Sequence, residues 1–181
     1  LYLATPVPCL YYGTEHAFNQ GGHYNGSNKT ADNPDDGDWQ RECMFDKGFQ
    51  PGAATGNKLA ATNAPLYLHI AWLNSLRSKY IALRRGAFTE LAYSGGQGQF
   101  VFKRQQGNQI AVVYLNTSDN GITSDSVNVG VANTAFYDSE NTNNVKWSNG
   151  SGYLPAESVS GKGTKVYVNS LPDNPVQSLW C

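Results

Sequence analysis

The stretch that decides the fold is Leu1-Tyr2-Leu3-Ala4-Thr5-Pro6-Val7-Pro8-Cys9-Leu10-Tyr11-Tyr12-Gly13-Thr14-Glu15. Apolar residues run through it without the polar alternation of a half-exposed strand. Residues 1–12 therefore read as one short buried strand of the kind found in parallel sheets. A lone parallel strand cannot satisfy its backbone N–H and C=O groups, so this expectation demands neighbours. The same stretch has no basic n-region and carries Pro6 and Pro8, so it is neither a signal peptide nor an anchor. It opens inside an apolar run without an initiator Met, as expected of a processed chain or of part of a longer polypeptide.

Working outward, residues 15–63 show almost no periodicity. Gly21-Gly22, Asn25-Gly26, Asn33-Pro34, Asp36-Gly37, Pro51-Gly52 and Thr55-Gly56 punctuate them, which marks turns throughout. A loop of that length inside a compact domain is expected to be functional. A helix follows, with Asn63 as its cap, Pro65 in its first turn and Leu66, Ile70, Leu73, Leu76 and Ile81 on one face. Arg77, Lys79, Arg84 and Arg85 suit its C-terminal dipole, and Gly86 ends it. From Ala87 the texture changes to short strands between turns. Gln99-Phe100-Val101-Phe102-Lys103-Arg104 and Gln109-Ile110-Ala111-Val112-Val113-Tyr114-Leu115 flank Gln106-Gly107-Asn108 as a hairpin. Residues 126–131, 165–168 and 176–180 are further strands. The organisation expected is βα followed by all-β, with residues 1–86 as one part and an antiparallel β-sandwich over 87–181.

A strand, a long loop and one helix make sense as the last βα unit of a (β/α)8 barrel with an appended domain. Pro6-Val7-Pro8-Cys9-Leu10-Tyr11-Tyr12-Gly13-Thr14-Glu15 resembles the eighth barrel strand of α-amylase-type glycoside hydrolases (glycoside hydrolase family 13). Gln20-Gly21-Gly22 and Trp39-Gln40-Arg41-Glu42-Cys43-Met44-Phe45 are similar to that family's β8 loop. Leu68-His69-Ile70-Ala71-Trp72-Leu73-Asn74-Ser75-Leu76-Arg77 and Ala82-Leu83-Arg84-Arg85-Gly86 resemble its eighth helix and exit. Ile110-Ala111-Val112-Val113-Tyr114-Leu115-Asn116 resembles the start of its C-terminal β-sandwich. The pieces occur in family order. Gln40 stands where the family usually has Asn, Ile81 where Pro is common, and Tyr24 to Asp38 has no counterpart. The fold implied is the final βα unit of a TIM (β/α)8 barrel followed by an antiparallel Greek-key β-sandwich.

The resemblance implies hydrolysis of α-1,4-glucosidic bonds in starch- or glycogen-like polysaccharide. Retaining hydrolysis needs two carboxylates about 5 Å apart. The family carries these, and a supporting Asp, on barrel strands four, five and seven, so no catalytic residue is expected in this chain and the chain alone is expected to be inactive. Its expected partners are an α-glucan and the N-terminal part of the same enzyme. What this chain would add is the rim of the site, since barrel sites sit where the loops after the strands converge. Glu15 and Arg41 are candidates for a buried pair near the cleft, with Arg41 either reaching a sugar hydroxyl or bracing the loop. His16 and Trp39, with Phe18, His23 and Tyr24, are candidates for holding or stacking on sugar. The expected substrate-binding residues are thus Glu15, His16, Trp39 and Arg41. Tyr137, Trp147 and Tyr153 would bind glucan on the sandwich only if they face outward. An amylase-like glycoprotein without catalysis, serving structure or polysaccharide binding, and an independent carbohydrate-binding sandwich are the alternatives.

Composition narrows the field further. Of the 181 residues, 15% are charged and the net charge is −1, with no Lys/Arg run, so neither nucleic acid nor an anionic membrane has an electrostatic footprint. No segment reaches the length of apolar sequence that a membrane helix requires. Three histidines without helical pairing do not make a zinc site. Asp35, Asp36 and Asp38 lack the alternation of a calcium loop, and no cofactor is expected in this chain, though calcium is compatible with the complete enzyme. Sequons at Asn25, Asn28, Asn116 and Asn149 point to a secreted glycoprotein. Cys9, Cys43 and Cys181 are an odd set, and Cys9 is expected to be a buried thiol or paired outside the chain.

Overall fold

The computed structural model describes residues 2–5, 7–10, 65–96 and 98–172. The chain divides into two compact units, Leu1–Pro8 with Leu73–Cys181 and Cys9–Trp72. The helix expected from the periodicity is present as α1 (Pro65–Lys79), but it does not run on to Gly86. Tyr80 adopts an extended conformation (φ −125°, ψ 114°), and a second, short helix α2 (Ile81–Arg85) starts after it. The break falls where the apolar spacing lengthens to five residues between Leu76 and Ile81. A continuous helix would have turned Ile81 off the buried stripe. The extended residue resets the phase, so that Leu76, Tyr80, Ala82 and Leu83 are all buried.

The rest of the larger unit is strand. A six-stranded sheet has the order β1-β2-β3-β10-β6-β7, from β1 (Ala87–Ser94), β2 (Gln99–Gln106), β3 (Gln109–Asn116), β6 (Ala135–Asp138), β7 (Val145–Trp147) and β10 (Thr164–Val168). Two ribbons complete it, β4 (Ile122–Thr123) with β9 (Ser158–Val159), and β5 (Val127–Asn128) with β8 (Tyr153–Leu154). Every pairing among the described residues is antiparallel. The expected hairpin is β2–β3, with Gln106 opposite Gln109. Gly107 takes φ 56° at the first turn position, the conformation a two-residue type II′ loop demands there.

Alternation along β2 and β3 sorts side chains to two faces. Val101, Ile110, Val112 and Tyr114 face the ribbons and form one core with Val127, Val129, Leu154 and Val159. On the alternate positions Phe102, Arg104, Ala111 and Val113 are also fully buried, and α2 packs against β2 and β3. Each large aliphatic or aromatic side chain so covered contributes about 1.5–3 kcal/mol. A sheet buried on both faces explains why β3 reads as a nearly unbroken apolar run.

The expectation of a strand over residues 1–12 is corrected. Among residues 2–5 and 7–10 none is in a strand, and residues 2–5 form a turn. Three carbonyls of this segment accept hydrogen bonds from arginine side chains. Arg77 Nη1 donates to Tyr2 O (2.7 Å), Thr5 O (3.0 Å) and Leu83 O (2.8 Å). Arg104 Nε donates to Gly86 O (2.8 Å) and its Nη1 to Leu3 O (3.1 Å). Cys9 is a free thiol but exposed, not buried, because the segment around it is not an inner strand. The expected strand at 176–180 lies outside the described residues.

Arg104→Ala leaves the Gly86 and Leu3 carbonyls without donors and opens a cavity, and is expected to cost about 3–4 kcal/mol in urea unfolding. Arg104→Met, which fills the space and removes the buried charge, should recover part of that loss. Exposed Arg85→Ala should stay within about 0.5 kcal/mol. A second expectation concerns alkaline pH. Burial raises the Tyr114 and Tyr167 pKa values well above the ordinary 10.0, with Glu157 adding to both. The folded state thus holds protons that the unfolded chain releases, so stability is complete below pH 10.0 and falls as pH rises past it. The Tyr114 hydroxyl is buried without a hydrogen-bond partner. Tyr114→Phe should therefore shift the alkaline unfolding midpoint upward, measured by circular dichroism across pH.

Candidate functional site

Glu15, His16, Trp39 and Arg41 lie outside the described residues, as do Asn25, Asn28, Phe18, His23, Tyr24, the Asp35, Asp36 and Asp38 cluster, Cys43 and Cys181. The candidates that the structure does place are on the β domain.

Asn116 ends β3 and is only 3% exposed. Its Nδ2 donates to Asn120 O (2.7 Å), Val159 O (3.2 Å) and Ser160 O (2.9 Å). Its Oδ1 accepts from Ser118 N (2.9 Å) and Ser118 Oγ (2.8 Å). The amide ties the end of β3 to β9 and to the turn at Asn120. The nitrogen that a sequon glycan would occupy is thus buried, with its hydrogens donated to main-chain carbonyls. Asn149 is the opposite case. It is exposed, and its Oδ1 accepts from Ser151 N and Tyr153 N, both at 2.9 Å, so the turn is held through the oxygen and not the nitrogen.

Whether the sandwich aromatics face outward could not be read from sequence. Trp147 is 62% and Tyr153 42% exposed, while Tyr137 is half-buried. A second aromatic group lies at the β1 edge of the large sheet. Phe88 packs on Phe102 with centroids 5.1 Å apart, Phe100 on Phe102 at 5.5 Å, and Tyr93 meets Phe100 edge-on. An open cleft of about 470 Å³ runs beside it, lined by Glu90, Tyr93, Gln99, Phe100 and Thr117 among others. The signal for it in the sequence was Phe100 and Phe102 at alternate positions of β2, close after the aromatic Phe88 and Tyr93 of β1.

The other carboxylates of the described β domain are committed to structure. Glu157 accepts from the Tyr167 hydroxyl (2.8 Å) and pairs with Lys146 (2.7 Å), whose ammonium lies over the Tyr167 ring. Asp138 and Glu140 share Lys165. Burial opposes the charged form of Lys165, but the two carboxylates outweigh it and raise its pKa. Asp125 exchanges hydrogen bonds with Gln99, and Asp119 meets Lys162 at the surface. Glu90 borders the cleft without a second acid among its lining residues. No group of three or more His, Cys, Asp or Glu among the described residues is placed to hold a metal ion.

No family model matches the sequence. A cyclomaltodextrinase of Geobacillus thermopakistaniensis is 29% identical over 115 residues, 64% of this chain and 15% of the relative. An Anoxybacillus α-amylase structure superposes with a TM-score of 0.62 at 21% identity, covering 96% of this chain and 31% of the enzyme. The chain is similar to the C-terminal part of α-amylase-type glycoside hydrolases. A cyclomaltodextrin glucanotransferase with a three-domain ABC distribution superposes comparably, with a TM-score of 0.60, 19% identity and coverage of 90% and 29%. The amylase-like chain thus spans less than a third of the length of these relatives. Its antiparallel sheet domain corresponds to the C-terminal domain of family 13 enzymes.

The two described sequons of this amylase-like chain should separate cleanly. Produced in a glycosylating host, the protein is expected to carry a glycan at Asn149 and none at Asn116, as read by glycopeptide mass spectrometry. Ser151→Ala should abolish the Asn149 glycan without changing thermal stability, because the turn uses the Ser151 backbone N–H and not its hydroxyl. A glycan at Asn116 would contradict the buried amide.

Proposed function

We propose that this chain is the C-terminal part of a secreted α-amylase-type enzyme that hydrolyses α-1,4-glucosidic bonds in starch- or glycogen-like polysaccharide. The observation that carries the proposal is the ordered run of family-like segments. The Tyr11-Tyr12-Gly13-Thr14-Glu15 strand end, the Arg41-Glu42 loop, the Ile70 to Arg77 helix and the Ile110 to Asn116 strand occur in one order, on a chain whose β domain superposes on an α-amylase. In the complete enzyme, this chain follows the parts of the barrel that carry the catalytic carboxylates. The β domain then follows as a Greek-key sandwich.

On this proposal the chemistry divides between the two parts. The acid/base and nucleophile belong to the N-terminal part, and this chain by itself is inactive. Glu15, His16, Trp39 and Arg41 form the rim. Arg41 pairs with a carboxylate through its planar fork and orients the sugar hydroxyl beside it. Trp39 offers an apolar face to the C–H side of a glucose unit, and Glu15 and His16 bind hydroxyls. Any calcium is held by the complete enzyme, not by the described residues of this chain.

Starch hydrolysis by the complete protein tests the proposal. Release of reducing sugar from α-1,4-glucan is expected from the complete protein and not from residues 1–181 alone. Arg41→Ala in the complete protein should lower kcat/KM about 100-fold, the scale of losing one charged positioning contact. Inactivity of the complete protein on every α-glucan, with its catalytic carboxylates present, would instead favour the amylase-like glycoprotein that binds without hydrolysing.

A further inference from the structure

We infer that Asn120-Gly121 is a site of spontaneous deamidation, which the fold leaves open while it closes the identical dipeptide Asn149-Gly150. A glycine after asparagine leaves the next main-chain nitrogen unshielded, because it has no Cβ. A third such dipeptide, Asn25-Gly26, lies outside the described residues. In the reaction Gly121 N loses its proton and attacks Asn120 Cγ. The N–Cγ bond forms, the Cγ–Nδ2 bond breaks, and ammonia leaves with the proton. Water then opens the five-membered imide. Opening at Cγ gives aspartate, and opening at the former main-chain carbonyl gives isoaspartate, whose backbone runs through Cγ. Water is the sole co-reactant.

The turn before β4 favours each of these steps. Asn120 is exposed, and its side-chain amide bonds to none of the described residues, so Cγ is free to turn toward Gly121 N. That nitrogen is unengaged too. Ile122 pairs with Val159, and Ser124 N donates to Glu157 O (2.7 Å). The alternation of an antiparallel ladder therefore points Gly121 N away from β9. The Asn120 carbonyl is held instead. Asn116 Nδ2 and Ser118 Oγ each donate to it at 2.7 Å. The other acceptor of the Ser118 hydroxyl, Asn116 Oδ1, already receives Ser118 N. When the Gly121 amide loses its proton, the charge spreads onto the Asn120 oxygen. Donors placed there stabilise the amidate nucleophile as they would any oxyanion. They also polarise the carbonyl that water attacks on the route to isoaspartate.

Asn149 differs in its side chain. Its carbonyl also accepts two hydrogen bonds, from Gly152 N (2.9 Å) and Asn133 N (3.2 Å). Its Oδ1, however, accepts from Ser151 N and Tyr153 N, both at 2.9 Å. Turning Cγ onto Gly150 N breaks both bonds, which slows the attack about tenfold or more. At Asn120 the isoaspartyl product has a structural consequence. It lengthens the backbone by one methylene where the turn has no slack. A Cβ on Gly161 would lie 2.5 Å from Asp119 C and 3.2 Å from Asn120 N, and Lys162 N donates to Ser118 O at 2.8 Å. The added length therefore shifts β4 against β9 and draws the carbonyl off Asn116 and Ser118.

The test is peptide mapping of the full chain, made without glycosylation and held in mildly alkaline buffer, since asparaginyl, aspartyl and isoaspartyl peptides separate. Asn120 is expected to convert, chiefly to isoaspartate, with Asn149 slower by about tenfold or more. In urea the two sites should convert at matching rates. Gly121→Ala, whose methyl would meet Val159 O at an ordinary 3.6 Å, should nearly stop conversion at Asn120, and Ser118→Ala should slow it severalfold. Circular dichroism confirms that each variant folds. The purified isoaspartyl chain should melt below the parent. Asn120→Asp, which adds the charge without the methylene, should melt with it. Equal rates at Asn120 and Asn149 in the folded chain, or conversion of Asn120 only in urea, would overturn the inference. An unchanged rate in Ser118→Ala would overturn the role of the carbonyl donors, and an isoaspartyl chain that melts with the parent would overturn the shift of β4.

Discussion

Two guanidinium groups, those of Arg77 and Arg104, tie together segments that are remote in the chain. Arg104 leaves β2 into the protein and reaches the carbonyls of Gly86 and Leu3. Arg77 reaches those of Tyr2, Thr5 and Leu83. Burial lowers the pKa of both, and mutual repulsion adds to it for Arg104, yet an arginine remains charged in any protein interior. A cation kept there against desolvation needs its donors used; carbonyl oxygens take Arg77 Nη1 and Arg104 Nε and Nη1, while Arg104 Nη2 is buried without a partner. Gly86 shows how closely the parts meet, since a Cβ at that position would lie 2.4 Å from Ala82 O and 2.7 Å from Gln105 N. The helix exit, the opening segment and the sheet can approach one another only with these residues in place.

That constraint accounts for the rest of the larger unit. Because one face of the six-stranded sheet is closed by the helix exit and the arginine contacts, the other face is left for the ribbons, and β3 is buried on both sides. Polar groups at the borders of the second core are matched in the same economical way. Asn116 uses both ends of its amide, and Glu157, Tyr167 and Lys146 neutralise one another. Among the described acids, Glu157, Asp138, Glu140 and Asp125 are held in contacts with neighbouring side chains.

Much of this was legible in the residues. The β2–β3 hairpin, the helix from Pro65 and the change of texture after Gly86 follow from period and turn chemistry, both local properties, while the expected cap Asn63 lies outside the described residues. The order of family-like segments likewise survives as similarity to α-amylase-type enzymes. The strand over residues 1–12 did not, because apolar continuity says that a segment will be buried but not what will satisfy its backbone. The helix break at Tyr80 was visible only as one irregular spacing. Among the site candidates, a sequon is a three-residue pattern that says nothing of burial, so Asn116 and Asn149 look alike in sequence and differ completely in the fold. The rim residues Glu15, His16, Trp39 and Arg41 are legible through family resemblance alone.

The sequence by itself determined the element types and the kinship, because periodicity, turn residues and ordered motifs are carried by neighbours along the chain. Only the tertiary structure decided which polar groups are spent and which are free. Whether Arg104 reaches a carbonyl or Glu157 a tyrosine and a lysine depends on residues tens of positions away. Burial and hydrogen-bond partnership are properties of the packed chain, and no local pattern encodes them.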